Sequence, residues 1–381
     1  MKKVMYIALD VHKKNIVMGL SEKNGKAEVA GEFFNTDTGV KKFLKKLKKI
    51  SEEYDVKICY EAGPCGYALK RILDEHGYYC EIAAPSLIPV KAGDKIKTDK
   101  RDAKKLARLY RAGELTFINV PDEENEAVRD LVRCRDDIMT DLKRTKQRLN
   151  HFLIRHGYHY PGNNWTDGHY RWIKQIDLKN THLNTTLCYY HNELEFLHMQ
   201  LKELDKDIEK IALSDEYRER VNALCAFRGI ATLTAMIIIS EIVDFNRFSN
   251  PRELMAYLGM VPSEYSSGGT VRKGSITKCG NKRVRRALVE AAHHYRHKPV
   301  ISINMKKTLE NTDPELRIAP VKALKRLHKK YYHMIFRGKP IQVTVVGVAR
   351  ELCGFIWHNM VILERKDINS GHVNTKEALS A

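Results

Sequence analysis

Short apolar runs alternate with segments of helical periodicity over the first 120 residues. Three apolar runs come first with no helical segment between them, which predicts an antiparallel meander. Segments with apolar residues three and four apart then separate three more runs, which predicts β-α-β-α units on the same sheet. The predicted strands are residues 4–9, 15–20, 27–33, 56–60, 79–83 and 116–120, and the predicted helices are 37–50, 64–76 and one capped by Thr98. This pattern predicts an α/β domain over residues 1–120.

An apolar period of three and four residues replaces this pattern in the middle of the chain. In the second of two long helical segments the period runs without a break, as in a coiled-coil seam. The seam residues are Leu187, Tyr190, Leu194, Leu197, Leu201, Leu204, Ile208 and Ile211. The first segment, 122–155, has a weaker seam that Arg135 and Thr145 interrupt. We predict a coiled-coil assembly region over residues 121–215, either as an antiparallel hairpin or as a dimer.

Between these two helical segments, residues 156–172 are rich in aromatic side chains and histidine. Aromatic rings beside basic groups can stack on unpaired bases. A compact loop that packs on itself has the same composition. The histidine spacing matches no standard zinc site. Both interpretations of this segment stay open at the level of the sequence.

The charge of the chain indicates the kind of partner it binds. Its 381 residues carry a formal net charge of +19, which favours a polyanion such as nucleic acid over a membrane surface. Eight cysteines are scattered without a CxxC pair, so we expect reduced thiols rather than disulfides or a zinc site. The apolar runs at the N-terminus and at 340–349 are too short for a signal peptide or a membrane span. We therefore expect a cytoplasmic protein that does not enter a membrane.

Four acids stand where the predicted elements bring them within reach of one another. Asp10 and Glu61 each end an apolar strand, and Asp99 and Asp102 share one face of the helix after Thr98. Each acid alone is an ordinary turn or first-turn residue. Four crowded carboxylates would raise one another's pKa unless a cation neutralised them, and Mg²⁺ prefers oxygen ligands. In a basic chain the set predicts phosphodiester chemistry at a pair of Mg²⁺ ions.

The motifs around these acids resemble the DEDD signature of insertion-sequence transposases. The segments ALDVHKK, CYEAGP and KTDKRDAKKLA carry the resemblance. It implies a RuvC-like, ribonuclease-H-type N-terminal domain in which Asp10, Glu61, Asp99 and Asp102 bind metal. It also implies a recombinase that acts on double-stranded DNA and is guided by a structured bridge RNA.

Residues 216–365 are predicted to form a mainly helical domain with a basic loop segment. A turn at Arg228 followed by a buried helix resembles a helix-hairpin-helix, but Arg228 and Ala231 replace the usual proline and second glycine, which favours a packing role. Residues 266–269 read Ser-Ser-Gly-Gly, and a basic run follows: Arg272, Lys273, Lys278, Lys282, Arg283, Arg285 and Arg286. Composition alone indicates a plain loop beside phosphate-binding cations. A nucleophilic serine among stabilising cations is the sharper alternative.

The stretch from Leu258 follows the pattern GhxPxxYxSG…RxG…hxKxGNxxhRRAL, in which h is a hydrophobic residue. It resembles the transposase domain that accompanies the DEDD domain in the same family, where the serine before the glycine becomes joined to DNA. The resemblance implies that Ser267 is the nucleophile, and the adjacent Ser266 stays open. We therefore predict a DNA recombinase that acts as a dimer or tetramer, with a tail at residues 366–381. The alternatives are a metal-dependent Holliday-junction-type nuclease that uses water, and a non-catalytic nucleic-acid-binding protein.

Overall fold

The computed structural model describes residues 2–90, 93, 98–267 and 269–369. Its contacts divide the chain into two compact units, Met1–Pro121 and Asp122–Ala381. Gly268, which the sequence assigns to the flexible serine turn, lies outside the described residues, as do residues 370–381 of the predicted tail.

A five-stranded mixed sheet forms the centre of the first unit. The first three strands make the predicted antiparallel meander, and the fourth and fifth lie parallel to the first on its other side, in the order β3-β2-β1-β4-β5. The strands are β1 (Lys3–Val11), β2 (Asn15–Glu22), β3 (Glu28–Phe34), β4 (Tyr54–Glu61) and β5 (Cys80–Ala83). The predicted α/β architecture of this unit is thereby confirmed.

Helices cover both faces of this sheet. They are α1 (Asp37–Glu53), α2 (Ala68–Glu75) and α3 (Asp99–Ala112). Ile7 and Leu9 of β1 pack with α1 and α2 on one face, whereas Ala8, between them, packs with α3 on the other. This alternation follows from the two-residue period of a strand. Every even-numbered side chain of β1 therefore belongs to the α3 face.

The prediction of a sixth strand at 116–120 is wrong. Among the described residues this segment makes one isolated antiparallel bridge, between Ala83 and Phe117. Two backbone hydrogen bonds flank the bridge, from Ala84 N to Thr116 O and from Ile118 N to Ile82 O, each 2.8 Å long. The neighbouring strand β5 has only four residues, so it offers too short an edge for a longer ladder.

The predicted helix at 64–76 begins later than the sequence indicated. A turn occupies the residues before Ala68, where Gly66 has a φ of +60° and closes a hydrogen bond to Gly63. Such a conformation suits glycine and is incompatible with helix continuation. The chain between β4 and α2 is therefore a loop at the end of the parallel strands.

The second unit begins with two long helices that pack antiparallel. They are α4 (Glu123–Arg155) and α6 (Thr181–Ala212), with the short α5 (Asp167–Gln175) between them. Arg135 near the start of α4 pairs with Asp205 near the end of α6, at 2.8 Å. Further along α4, Thr145 donates to Glu193 at 3.0 Å. Of the two arrangements that the sequence left open, the structure forms the hairpin.

The hairpin buries most of the predicted seam, but not in one core. Leu142, Leu149, Leu194 and Leu201 pack together between the helices, whereas Val128 and Ile208, at the open end, belong to the core of the helical region that follows. The seam therefore serves two purposes. Its middle holds the hairpin together, and its open end attaches the hairpin to the rest of the unit.

The aromatic segment at 156–172 packs on itself. His169 is fully buried and stacks on Trp172, with ring centroids 5.6 Å apart, and Tyr160 lies against both rings. The backbone N–H of Trp165 donates to Nδ1 of His169 at 2.9 Å. These rings are engaged with one another, which matches the self-packed interpretation of the segment.

The remainder of the second unit is mainly helical, as predicted. One large core joins most of its helices, and α11 packs in a smaller cluster through Met305 and Leu309. The helices are α7 (Asp215–Cys225), α8 (Thr232–Ile242), α9 (Pro251–Tyr257), α10 (Lys282–Ala292), α11 (Ile303–Glu310), α12 (Ile318–Phe336) and α13 (Ile341–Asn369), and the strands are β6 (Pro262–Glu264) and β7 (Lys273–Ile276). The turn between α7 and α8 is held by Arg228, which donates to the carbonyl oxygens of His297, Lys298 and Val300. The packing role favoured for Arg228 is thus confirmed.

Helix α13 has the length and apolar character of a membrane span over Ile341–Lys366. Its apolar face is nevertheless part of the core, where Val348, Leu352 and Ile356 are almost fully buried. The buried Glu364 accepts hydrogen bonds from the backbone N–H groups of Phe245 and Asn246. This helix therefore packs as the central helix of a folded unit.

The hairpin core gives a prediction about stability. Leu194 is fully buried between α4 and α6, so we expect Leu194→Ala to lower the free energy of unfolding by about 2–5 kcal/mol. Lys202, further along α6, is exposed, so Lys202→Ala should change it by less than about 0.5 kcal/mol. Urea unfolding followed by circular dichroism measures both. Equal effects of the two substitutions would show that the hairpin core is not formed in solution.

Candidate active site

The first candidate site lies where β1 ends. Asp10 is the penultimate residue of β1, and His12 follows the strand. Nε2 of His12 is 3.2 Å from Oδ1 of Asp10 and 3.7 Å from Oδ1 of Asp99. One potential ligand atom from each of these three residues lies within 4.8 Å of the other two. A strand end and a helix N-terminus are thereby joined in one polar cluster.

Strand parity explains which side chains meet there. Ala8 and Cys59 both pack on the α3 face of the sheet. Asp10 and Glu61 stand two residues further along the same two strands, so they share that face. Strands β1 and β4 are parallel, with Leu9 opposite Tyr60, and their carboxyl ends therefore lie at the same edge of the sheet.

Helix α3 brings the other two acids to this edge. Thr98 caps it, accepting a hydrogen bond from the Arg101 backbone N–H at 3.4 Å, so Asp99 and Asp102 fall in its first turn. The helix packs closely on β2 at Gly19, where an added Cβ would lie 2.5 Å from the carbonyl oxygen of Ala103. Only glycine permits this approach, because any side chain would push the helix away.

A cleft of about 660 Å³ opens beside these residues. Three of the four predicted acids line it, namely Asp10, Glu61 and Asp102, while Asp99 joins the site through His12. Arg101 and Lys104 line the same cleft from α3. The cleft thus combines oxygen ligands with cationic side chains, as a site for a metal ion and a phosphate group requires.

The surroundings of Asp10 make its charged form less favourable than in water. Burial raises the pKa of Asp10, and the nearby carboxylates of Asp99 and Asp102 raise it further, whereas His12 lowers it. Nδ2 of Asn15 lies 3.4 Å from Oδ2 of Asp99 and donates to Oε1 of Glu32 at 3.0 Å. Charged carboxylates that are desolvated and crowded favour a bound cation, and their oxygens are the ligands of hard divalent ions. The residues present therefore fit a divalent metal.

His12 is a member of the cluster that the sequence analysis missed. It stands two residues after Asp10, so strand alternation places the two side chains on the same face. That spacing is the signal by which it could have been found. Its imidazole can ligate a metal ion or orient Asp10.

The serine turn lies at the tip of a small β-hairpin in the second unit. Strands β6 and β7 pair antiparallel, and Ser267 bridges to Thr270, whose N–H donates to the Ser267 carbonyl at 3.0 Å. The hydroxyl of Ser266 donates to Oε1 of Glu264 at 2.7 Å. Ser267 is exposed, and its hydroxyl makes no hydrogen bond within the described part of the chain.

The basic run after this turn divides into two groups. Arg272, Lys273, Lys278 and Lys282 are exposed and form no ion pair with any residue that the structure describes. The three arginines of α10 are instead engaged within the unit. Arg283 and Arg286 pair with Asp136 of α4, and Arg285 donates to the carbonyl oxygen of Leu258 at 2.8 Å.

Comparisons with known proteins agree with both halves of this description. A DEDD transposase model of IS110 type matches residues 7–157, and the model described as the transposase IS116/IS110/IS902 family matches residues 221–303. The y4qE protein of Sinorhizobium fredii is 40% identical over 356 residues, covering 92% of this chain and 87% of that protein. The chain belongs to the IS116/IS110/IS902 family of transposases.

More distant relatives extend the same assignment to this transposase. The transposase for insertion sequence element IS1533 of Leptospira borgpetersenii is 37% identical over 341 residues, covering 88% of this chain and 97% of that one. The transposase for insertion sequence element IS1328 of Yersinia enterocolitica is 23% identical over 240 residues, covering 62% and 70%. The protein is therefore an insertion-sequence transposase, an enzyme class that cleaves DNA and transfers its strands.

The acid cluster gives a prediction about metal binding. We expect Asp10→Asn to weaken Mg²⁺ binding by more than about tenfold, because even outer-shell partners of a metal contribute that much. His12→Gln should weaken it less, because an amide oxygen can replace one imidazole contact. Isothermal titration calorimetry with Mg²⁺ measures both affinities without requiring DNA cleavage.

The matched control for this experiment is Glu75→Gln, at the exposed end of α2 and away from the cleft. This variant should bind Mg²⁺ as the wild-type protein does. If Asp10→Asn and Glu75→Gln had the same affinity, Asp10 would not be a ligand.

Proposed function

We propose that this transposase is a DNA recombinase that cleaves and exchanges strands through a serine–DNA covalent intermediate, guided by a structured RNA. The observation that carries the proposal is that one chain contains both an acid-lined cleft, in the first unit, and an exposed serine on a hairpin tip, in the second. The two family models match the same two regions, in the same order along the chain.

The acids of the cleft supply the metal part of this proposal. Asp10, Glu61, Asp99 and Asp102 would hold a pair of Mg²⁺ ions, with His12 beside them. When bound, such ions polarise a phosphate and neutralise the charge that develops on it. The meander followed by parallel strands, with helices on both faces, supports a RuvC-like, ribonuclease-H-type assignment. Arg101 and Lys104 would hold the DNA backbone at the cleft.

The serine supplies the covalent step. Oγ of Ser267 attacks the phosphorus of a DNA phosphodiester, forming a P–Oγ bond as the bond from phosphorus to one deoxyribose oxygen breaks. The serine proton is lost to solvent or base, and the leaving oxygen takes up a proton to become a free hydroxyl. Attack by that or another DNA hydroxyl reverses the step and exchanges the strands, so no outside energy source is needed. The exposed cations Arg272 and Lys273 flank the turn and would stabilise the phosphoryl charge.

The hydrogen bonds of the two serines support Ser267 over Ser266. The hydroxyl of Ser266 is engaged with Glu264, a contact that fixes the turn. Ser267 stands one residue nearer the tip and is exposed. The Ser267 hydroxyl can therefore form a bond to a DNA phosphorus without first losing a hydrogen bond, whereas the Ser266 hydroxyl cannot.

Assembly and partners complete the proposal. The outer face of α6 exposes Tyr189, Phe196 and Met199, which supports a coiled-coil contact with a second copy and a dimer or tetramer. Strand exchange joins two DNA molecules and so calls for several serines. The net charge of +19 supports double-stranded DNA and a guide RNA as ligands, in a cytoplasmic setting.

The test is a covalent-trapping experiment with labelled donor DNA and the transcript that flanks it. We expect Ser267→Ala to bind DNA as the wild type does but to form no adduct, with recombination reduced by up to about 10⁶-fold, as for other lost nucleophiles. Ser266→Ala is the matched control and should retain adduct formation. Denaturing gel electrophoresis shows the adduct as DNA label that migrates with the protein.

Three results would overturn the assignment. An adduct in Ser267→Ala but not in Ser266→Ala would move the nucleophile by one residue. Mg²⁺-dependent cleavage without any adduct in the wild type would favour a junction nuclease that uses water. Absence of cleavage under every metal condition would favour a non-catalytic nucleic-acid-binding protein.

A further inference from the structure

One exposed face of α12 alternates basic and aromatic side chains. Its members recur at steps of three and four, so they form one continuous line on the helix. They are Lys325, His328, Lys329, Tyr332, His333 and Phe336, here called the basic-aromatic stripe. The opposite face of α12 is buried through Leu324, Leu327 and Tyr331. The stripe is therefore the solvent face of a helix that is firmly packed.

Two rings of the stripe, those of His328 and Tyr332, are held in place by hydrogen bonds. The hydroxyl of Tyr332 donates to the carbonyl oxygen of Arg296 at 3.0 Å, and Nδ1 of His328 donates to that of Tyr295 at 3.0 Å. The His328 and Tyr332 centroids are 4.9 Å apart, and those of Tyr332 and Phe336 are 6.1 Å apart with a 36° tilt. Rings fixed in this way lose little entropy when a planar ligand stacks on them.

The outermost ring is open to solvent. Phe336 is 85% exposed and Tyr332 is 39% exposed. Single exposed apolar residues are ordinary on protein surfaces. Two adjoining rings at the end of an otherwise polar line are less ordinary, because they offer a flat apolar surface next to cations. Such a surface fits a ligand that is itself flat and carries negative charge.

The charge around the rings indicates a polyanion. Residues 321–340 contain seven lysines and arginines and no acid. Two of these cations, Arg326 and Lys330, are neutralised by Glu351 of α13. Lys325, Lys329, Arg337 and Lys339 are exposed and have no ion pair within the described residues. Two of the uncompensated cations, Lys325 and Lys329, are members of the stripe, and Arg337 and Lys339 follow the end of the helix.

We propose that the basic-aromatic stripe binds unpaired nucleotides, with bases stacked on Tyr332 and Phe336 and backbone phosphates held by Lys325 and Lys329. Duplex DNA fits the stripe less well, because its bases are already stacked on each other and present only phosphates. Unpaired bases leave their faces free for aromatic side chains. The inference rests on the proposed function only for the source of the strand, which is either RNA or a separated DNA strand.

The experiment measures binding of the full-length protein to three labelled probes by fluorescence anisotropy: a 20-nucleotide poly(U) RNA, a poly(dT) strand and a 20-base-pair DNA duplex. We expect Phe336→Leu to weaken single-strand binding at least about fivefold while changing duplex binding less than about twofold. Leucine keeps the apolar surface and removes the ring, so the comparison isolates stacking. Tyr79→Leu, which removes a 69% exposed ring just before β5 in the first unit, is the matched control and should leave all three affinities unchanged.

A second variant tests the charged half of the stripe. Lys329→Gln should weaken binding to all three probes and reduce the slope of log affinity against log salt by about one. For Phe336→Leu, a loss confined to poly(U) would identify the strand as RNA, and a loss on both poly(U) and poly(dT) would extend the site to separated DNA strands; either supports the stripe.

Three outcomes would overturn the proposal. The first is an unchanged affinity of Phe336→Leu for the single strands, and the second is an equal loss of its affinity for the duplex. The third is a change in its molecular mass in solution without a change in affinity, which would mean that the stripe contacts a second copy. Covalent trapping of the same variants separates this result from the proposed chemistry. The stripe variants keep Ser267, so they still test adduct formation. If no adduct forms even in the wild type, the recombinase proposal fails, but the anisotropy results still test the stripe.

Discussion

The close contact between α3 and the sheet is the constraint on which the candidate site depends. Small residues line it on both sides: Gly19 of β2 and Ala8 of β1 face Ala103 and Ala107 of the helix. Because no side chain separates the two layers at Gly19, the first turn of α3 reaches the end of β1. Two acids from the helix then join an acid from the strand. A larger residue at position 19 would separate these acids while leaving each of them in its own element.

That contact brings together groups that repel one another. Desolvation and the neighbouring carboxylates raise the pKa of Asp10, so its charged form is less favourable than that of a carboxyl group in water. Part of the repulsion is offset by His12, which lies beside both Asp10 and Asp99. The packing of the core therefore holds a cluster that its own electrostatics would disperse. Such a conflict between local and global preference is characteristic of a site kept for ligand binding rather than for stability.

The sequence predicted most of this arrangement because simple periodicities specify it. The ends of two apolar runs and a capping threonine before a helix were enough to predict that Asp10, Glu61, Asp99 and Asp102 lie within reach of one another. The spacing of His12 from Asp10 indicates that it is near that acid, but its contact with Asp99 of α3 depends on how the helix packs on the sheet. The segment 116–120 does not form the predicted strand because its partner, β5, is too short to extend a ladder. This outcome depends on the length of the neighbouring strand and not on the residues of the segment.

The cations show a further limit of reasoning from composition. Arg283 and Arg286 stand in a basic run, yet Asp136 of α4 neutralises them, so they join α10 to the hairpin. Asp136 is far away in the sequence, and a local count of charge could not reveal it. On α12, by contrast, Lys325 and Lys329 form no ion pair with any described acid, although Arg326 and Lys330 of the same helix pair with Glu351. The fold thus uses some of the cations behind the net charge of +19 to hold helices together and leaves others without an ion pair among the described residues, and the proposals above assign this second group to a polyanion.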